Sequence, residues 1–107
     1  MTMLGELEQI VLLAVLQADD EAYGVPVQAE IRRRARRTLT LGTIYKTLAR
    51  LETKGFVASR LGEPTAERGG RAKRYYTLTP AGRQAVRGSL AALRRMAAGL
   101  DVGLQAP

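Results

Sequence analysis

The groups in this sequence that could do chemistry are, with few exceptions, cations. Seventeen Lys and Arg stand against ten acids, and the chain holds no His and no Cys. Without imidazole, the commonest general base, the commonest neutral metal ligand and the usual pH switch are missing together. Without thiol there is neither a disulfide framework nor a thiolate metal site. Only Ser, Lys and unpaired carboxylates remain for catalysis, and no Asp-rich loop has the spacing of a magnesium or calcium site. We therefore expect no enzyme, no catalytic residue, no cofactor and no metal. What is left is recognition of an anion by a fixed array of cations. Residues 1–31 hold six acids (Glu6, Glu8, Asp19, Asp20, Glu21, Glu30) and no Lys or Arg. Residues 32–74 hold thirteen Lys and Arg against Glu52, Glu63 and Glu67, a net of +10. A merely soluble basic protein has no need to gather one sign in this way, so the pattern points to a polyanionic partner.

Two neighbouring segments present these cations. Residues 40–55 read as a helix, with Thr40 as its N-cap and Gly55 where a left-handed residue ends it. Leu41, Ile44, Leu48 and Leu51 follow the 3,4,3 spacing of one buried face. The opposite face carries Gly42, Thr43, Lys46, Ala49, Arg50 and Thr53, which are small, polar or basic, with no acid among them. Such a face suits a major groove, where bulk is penalised and Lys or Arg can reach guanine or phosphate. After Gly55 the helical period gives way to alternation over residues 56–61 and 75–78, which predicts two strands. The Gly- and Pro-rich stretch between them carries Arg68 and closes on Arg71, Lys73 and Arg74. A hairpin directly after a helix-turn-helix is a wing.

The other elements must hold these two in place. In residues 4–18 nearly every side chain after Gln9 is apolar, and a helix apolar all round is buried on more than one side: the core takes one, and a second subunit is a candidate for another. Asp19-Asp20-Glu21 supplies a turn. A second helix starts near Gly24-Val25-Pro26, shows Val27, Ile31 and Ala35 as its stripe, and ends in Arg32-Arg33-Arg34-Ala35-Arg36-Arg37. Cations there complement the helix dipole, but five within six positions exceed that need and leave some for phosphate. Thr79-Pro80 restarts a helix, beyond which Val86, Leu90, Leu93, Ala97, Leu100 and Leu104 recur at 4,3,4,3,4. Two readings of that stripe stand: a coiled-coil seam between two copies, or a helix packing back on its own domain. Gly88, Gly99 and Gly103 each weaken the helix by ~1 kcal/mol relative to Ala, so its end should fray. The expectation is a mainly α fold with a small β-hairpin: a winged helix-turn-helix domain over 1–80, a C-terminal dimerisation helix over 81–104, and a disordered tail over 105–107. The longest apolar run, residues 10–16, is far short of the ~20 residues of a membrane span, and it follows Glu6 and Glu8 rather than a basic segment. We expect no membrane partner and a cytoplasmic protein.

The residues themselves resemble the PadR (phenolic acid decarboxylase regulator) family of bacterial transcription factors, from Leu4 to about Arg83. The resemblance rests on Leu4-Gly5-Glu6-Leu7-Glu8, on Ala22-Tyr23-Gly24, and on Leu41-Gly42-Thr43-Ile44-Tyr45 with Leu48, Arg50-Leu51-Glu52 and Gly55. It continues through Arg60-Leu61-Gly62-Glu63-Pro64-Thr65, Arg68-Gly69-Gly70-Arg71-Ala72-Lys73-Arg74-Tyr75-Tyr76 and Leu78-Thr79-Pro80-Ala81-Gly82. It implies a repressor that binds a palindromic operator in double-stranded DNA as a homodimer, through the third helix in the major groove and the wing on the backbone or minor groove. It also implies dimerisation through the C-terminal and first helices, with Val86, Leu90, Leu93, Ala97 and Leu100 on the seam. Carried onto this chain, Thr43, Tyr45 and Lys46 lie nearest the bases, with Thr40 and Arg50 beside them and Arg68, Arg71, Lys73 and Arg74 on the wing. For Tyr45 two readings stand, contact with DNA or packing beside the buried stripe. With a single helix after the wing, the family's short type is the expectation. Some short members hold planar drugs between tryptophans, but this sequence has no Trp and one Phe, so that ligand class does not carry over. A small-molecule effector of unknown kind stays open as a partner. The alternative is a winged helix that docks on protein without reading DNA, which calls for an apolar exposed face on the third helix. A single-strand or RNA binder calls for stacking platforms that 5% aromatic residues supply poorly.

Overall fold

The computed structural model describes residues 4–63 and 72–100. Its first helix, α1 (Glu6–Ala18), opens with Glu8 reaching back to its own start, where Oε1 accepts the N–H of Gly5 at 2.9 Å. Val11, Leu12, Ala14 and Val15 are buried, and Leu7, Ile10, Leu13 and Leu16 pack half-buried around them, so apolar surface extends well beyond one stripe. A 3₁₀ turn (Asp19–Glu21) follows. Ala22 then offers its carbonyl to the N–H of Tyr76 at 2.8 Å, tying this connection to the hairpin.

Helix α2 (Gly24–Glu30) is shorter than the sequence suggests. From Ile31 to Ala35 the backbone widens into a π-helical turn, and Arg36 ends it in the left-handed region at φ 57°. The stripe survives: Val27 and Ile31 are buried and Ala35 packs against the core. Ion pairs engage three of the five arginines in the run. Arg33 and Arg34 both meet Glu30 at 2.7 Å, and Arg37 reaches Glu6 of α1 at 2.7 Å.

Helix α3 (Leu41–Thr53) is capped at both ends as its sequence predicts. The Thr40 hydroxyl accepts the N–H of Thr43 at 3.1 Å. At the far end Gly55 takes φ 82°, and the N–H groups of Gly55 and Phe56 return to the carbonyls of Glu52 and Leu51, the paired bonds of a Schellman motif. Ile44, Leu48 and Leu51 are fully buried, and Thr47 between them satisfies its hydroxyl on the carbonyl of Thr43 at 2.8 Å.

The hairpin pairs β1 (Val57–Leu61) with β2 (Arg74–Leu78) in antiparallel register, Val57 opposite Leu78 and Ser59 opposite Tyr76. Val57, Tyr76 and Leu78 close the core from this side. Helix α4 (Pro80–Ala97) starts on Thr79, whose hydroxyl accepts from Gly82 N and donates to the carbonyl of Gly55 at 2.6 Å. That bond locks the corner between α3 and β1 to the start of α4. Gly82 lies so close to the carbonyl of Phe56 that no Cβ could be placed there. The helix ends at Ala97 rather than near residue 104: Gly99 takes φ 82°, and Leu100 lies past the end. A glycine free to adopt that conformation ends a helix more readily than it extends one. Leu104 and the expected tail at 105–107 lie outside the described residues.

Candidate nucleic-acid interface

The face of α3 that points away from the core begins at its N-cap. The Thr40 hydroxyl that caps the helix also donates to the Thr43 hydroxyl at 2.9 Å, so these two side chains are partly engaged with each other. Lys46, one turn on, is exposed and makes no ion pair among the described residues. Gly42, Ala49 and Thr53 beside it are exposed too, which leaves an open, uncharged strip around one cation. Tyr45 is open to solvent on one side and packed on the other. It is 42% exposed, yet its hydroxyl end lies over Gly24 so closely that a Cβ at Gly24 would collide with the ring. The glycine at the start of α2 therefore sets where that ring can lie.

Arg50 and Lys54 continue the basic row towards α1, and there they meet a group that composition alone did not single out. Glu8 is 5% exposed, accepts Lys54 Nζ on Oε2 at 2.7 Å and sits 3.5 Å from Arg50 Nε. Its signal was present in the spacing: Leu4, Glu8, Val11, Leu12 and Val15 form one stripe, and Glu8 stands in its middle. Burial pushes this carboxyl up, but the Lys54 hydrogen bond, the Gly5 N–H and the charges of Lys54 and Arg50 outweigh it and hold the group below its ordinary 4.5. A depressed carboxyl stabilises the fold above its unfolded value and loses that contribution as pH falls through its folded value, that is, below 4.5. Glu8→Gln is therefore expected to lose less stability on acidification from about pH 5 to pH 3 than the wild type does. Chemical denaturation at each pH measures this, and equal acid slopes for the two proteins would contradict it.

The root of the wing is tied to the same helix. Arg74 Nη1 donates to Ser59 Oγ at 3.1 Å, and Ser59 donates to Glu52 Oε2 on α3 at 2.8 Å. On the outer face of the hairpin, Lys73 Nζ lies 4.5 Å over the ring of Tyr23 and Arg60 lies 4.7 Å over Tyr75. The two rings meet edge to face at 5.4 Å. These contacts fasten the wing to the segment before α2, a role the sequence reading did not give to Tyr23 or Tyr75. Arg68 and Arg71 lie outside the described residues. Of the residues expected on a dimer seam, Val86 is buried in the chain's own core and Leu90 packs half-buried against it. Leu93 is 56% exposed, Ala97 is exposed at the helix end, and Leu100 is 63% exposed beyond it. No group of acids able to hold a metal, and no helix long and apolar enough to cross a membrane, occurs among the described residues.

Three helices, a hairpin pinned to the third of them and a long following helix define the winged helix-turn-helix class. Within that class the chain belongs to the PadR-like family of transcriptional regulators, which it matches over residues 12–88. It is 39% identical over 80 residues to the transcriptional regulator Rv3488 of Mycobacterium tuberculosis, covering 75% of this chain and 70% of that protein. Among solved structures, a transcriptional regulator from Clostridium thermocellum superposes with a TM-score of 0.69 at 25% identity, over 84% of this chain and 82% of its own. A PadR family regulator from Clostridium difficile gives 0.67 at 26% identity, over 83% and 88%.

Proposed function

We propose that this regulator binds double-stranded DNA in a sequence-specific manner and acts as a homodimeric repressor on a palindromic operator, without catalysis. The observation that carries the reading is the outer face of α3, where Lys46 stands on an exposed strip of small residues with no acid. Thr43, Tyr45 and Lys46 are the base-facing residues, with Thr40 and Arg50 at the flanks. Arg68, Arg71, Lys73 and Arg74 serve the backbone. An apolar face, which docking on protein requires, is absent from this side of α3. A second copy is the partner for α4, where Leu93 and Ala97 continue the line of Val86 and Leu90 as exposed residues and Leu100 follows past the helix end. Charge supports the acidic turn after α1 as part of the opposite surface: Asp19, Asp20 and Glu21 are exposed, whereas α4 holds Arg83, Arg87, Arg94 and Arg95 and no acid. A regulator of this kind works beside the chromosome, in the cytoplasm.

Selection of bound duplexes from a random pool, by wild type and by Lys46→Ala, tests the base-reading role. The variant is expected to lose discrimination at one base position, by about 1–3 kcal/mol if Lys46 makes a good bidentate contact. A variant that weakens every sequence equally would confine Lys46 to phosphate.

A further inference from the structure

We propose that Glu8 sets the selectivity of the α3 face, by withholding Lys54 from DNA and leaving Arg50 as the cation offered at this end of the helix. The inference rests on the DNA-binding reading above and extends it to a residue outside the recognition helix. Lys46, Arg50 and Lys54 follow one another at intervals of four, a row that drifts about 40° per step from the outward face towards α1 at ~3.6 residues per turn. The first is open. The second has a side chain 54% exposed and approaches Glu8 only at 3.5 Å, too far for a good hydrogen bond, so its guanidinium donors remain unbonded among the described residues. The third is held: Lys54 Nζ donates to Glu8 Oε2 at 2.7 Å, its side chain is 31% exposed, and the carboxylate it meets is 7% exposed.

That difference in burial decides what each cation can do. If Lys54 moved to a phosphate, Glu8 would lose its closest partner and keep only the Gly5 N–H and the more distant Arg50, and a largely buried carboxylate short of a partner is unfavourable. Glu8 cannot follow Lys54 outward, because Gly5 N–H holds Oε1 at 2.9 Å and the helix places it on the core stripe of α1. A lysine loose at this position would meet phosphate whatever the sequence, since phosphate contacts carry no base information. Glu8 is thus a positioning residue: it lowers the sequence-independent part of binding and leaves the base-facing part intact.

The test is duplex binding over a salt series for wild type, Lys54→Met and Glu8→Gln, on a duplex chosen by pool selection and on an unrelated one. Lys54→Met is expected to keep the wild-type salt slope on the unrelated duplex, because Glu8 already neutralises the lysine. Glu8→Gln is expected to steepen that slope by up to about 0.9 per subunit, one phosphate more, and to lower the ratio of selected to unrelated affinity several-fold. A Lys54→Met protein whose slope falls by about 0.9 per subunit overturns the inference, since Lys54 then meets phosphate in the wild type. A Glu8→Gln protein that weakens both duplexes alike at unchanged slope overturns it too, as the mark of a purely structural role. Should Glu8→Gln fail to fold, Lys54→Met decides by the same criterion. A wild type with no affinity for either duplex overturns the DNA reading and this inference together, whereas the other adverse outcomes leave the DNA reading standing.

Discussion

Affinity for duplex DNA is expected to fall about 10³–10⁵-fold between 50 and 200 mM salt, for a dimer that neutralises ~6–10 phosphates. The expectation follows from where the charge sits. Residues 32–74 carry a net of +10, while the acids of residues 1–31 lie on α1, on the turn that follows it and at the end of α2. Several of these cations are committed inside the protein: Arg33 and Arg34 to Glu30, Arg37 to Glu6, and Lys54 to Glu8. The exposed pairs of Arg33, Arg34 and Arg37 are weak and can exchange a carboxylate for a phosphate at little loss. The Lys54–Glu8 pair, whose carboxylate is only 7% exposed, is expected to exchange less readily. The slope of log affinity against log salt counts the cations that do exchange, and a flat titration would contradict the reading of these residues as a polyanion surface.

Leu93→Asp is expected to separate the subunits and lower operator affinity by about 10²–10⁴, the gain that a second linked half-site supplies. Leu93 is 56% exposed on one chain alone, so an aspartate there leaves the core of α1, α2, α3 and the hairpin untouched. In a dimer built on α4 it puts a charge without a partner into each half of an apolar contact. Sedimentation should give a monomer, and circular dichroism should give an unchanged helical spectrum. A variant that stays dimeric would place the interface on α1 alone. One that unfolds would make the dimer obligatory for folding.

The parts of this fold that were legible in the sequence are those fixed by neighbours a few residues away. Helix α3 could be read because its stripe, its Thr40 cap and its Gly55 stop all lie within one segment, and the hairpin because alternation marks it. The π-helical turn after Glu30 could not, since Val27, Ile31 and Ala35 keep the same spacing on either backbone. The end of α4 differs from the sequence expectation for a related reason: the apolar repeat runs past Gly99, but the helix stops before that left-handed residue. At the site, Lys46 and Arg50 were legible as one face. Glu8 escaped because its partners lie 42 and 46 residues away, and a carboxylate on an apolar stripe reads locally as an N-terminal cap, which it also is. Tyr45 was undecidable for the same cause, since the space it fills is defined by Gly24 on another helix.

In the proposed function, α3 and its wing read duplex DNA, one half-site per subunit. Selection of bound sequences from a random duplex pool by the wild-type chain tests it most directly. An enriched motif of two inverted half-sites, centred about one helical turn or a multiple of it apart, is expected. A pool that emerges no richer in any motif than it entered, at a salt concentration where the chain is folded and dimeric, would contradict it.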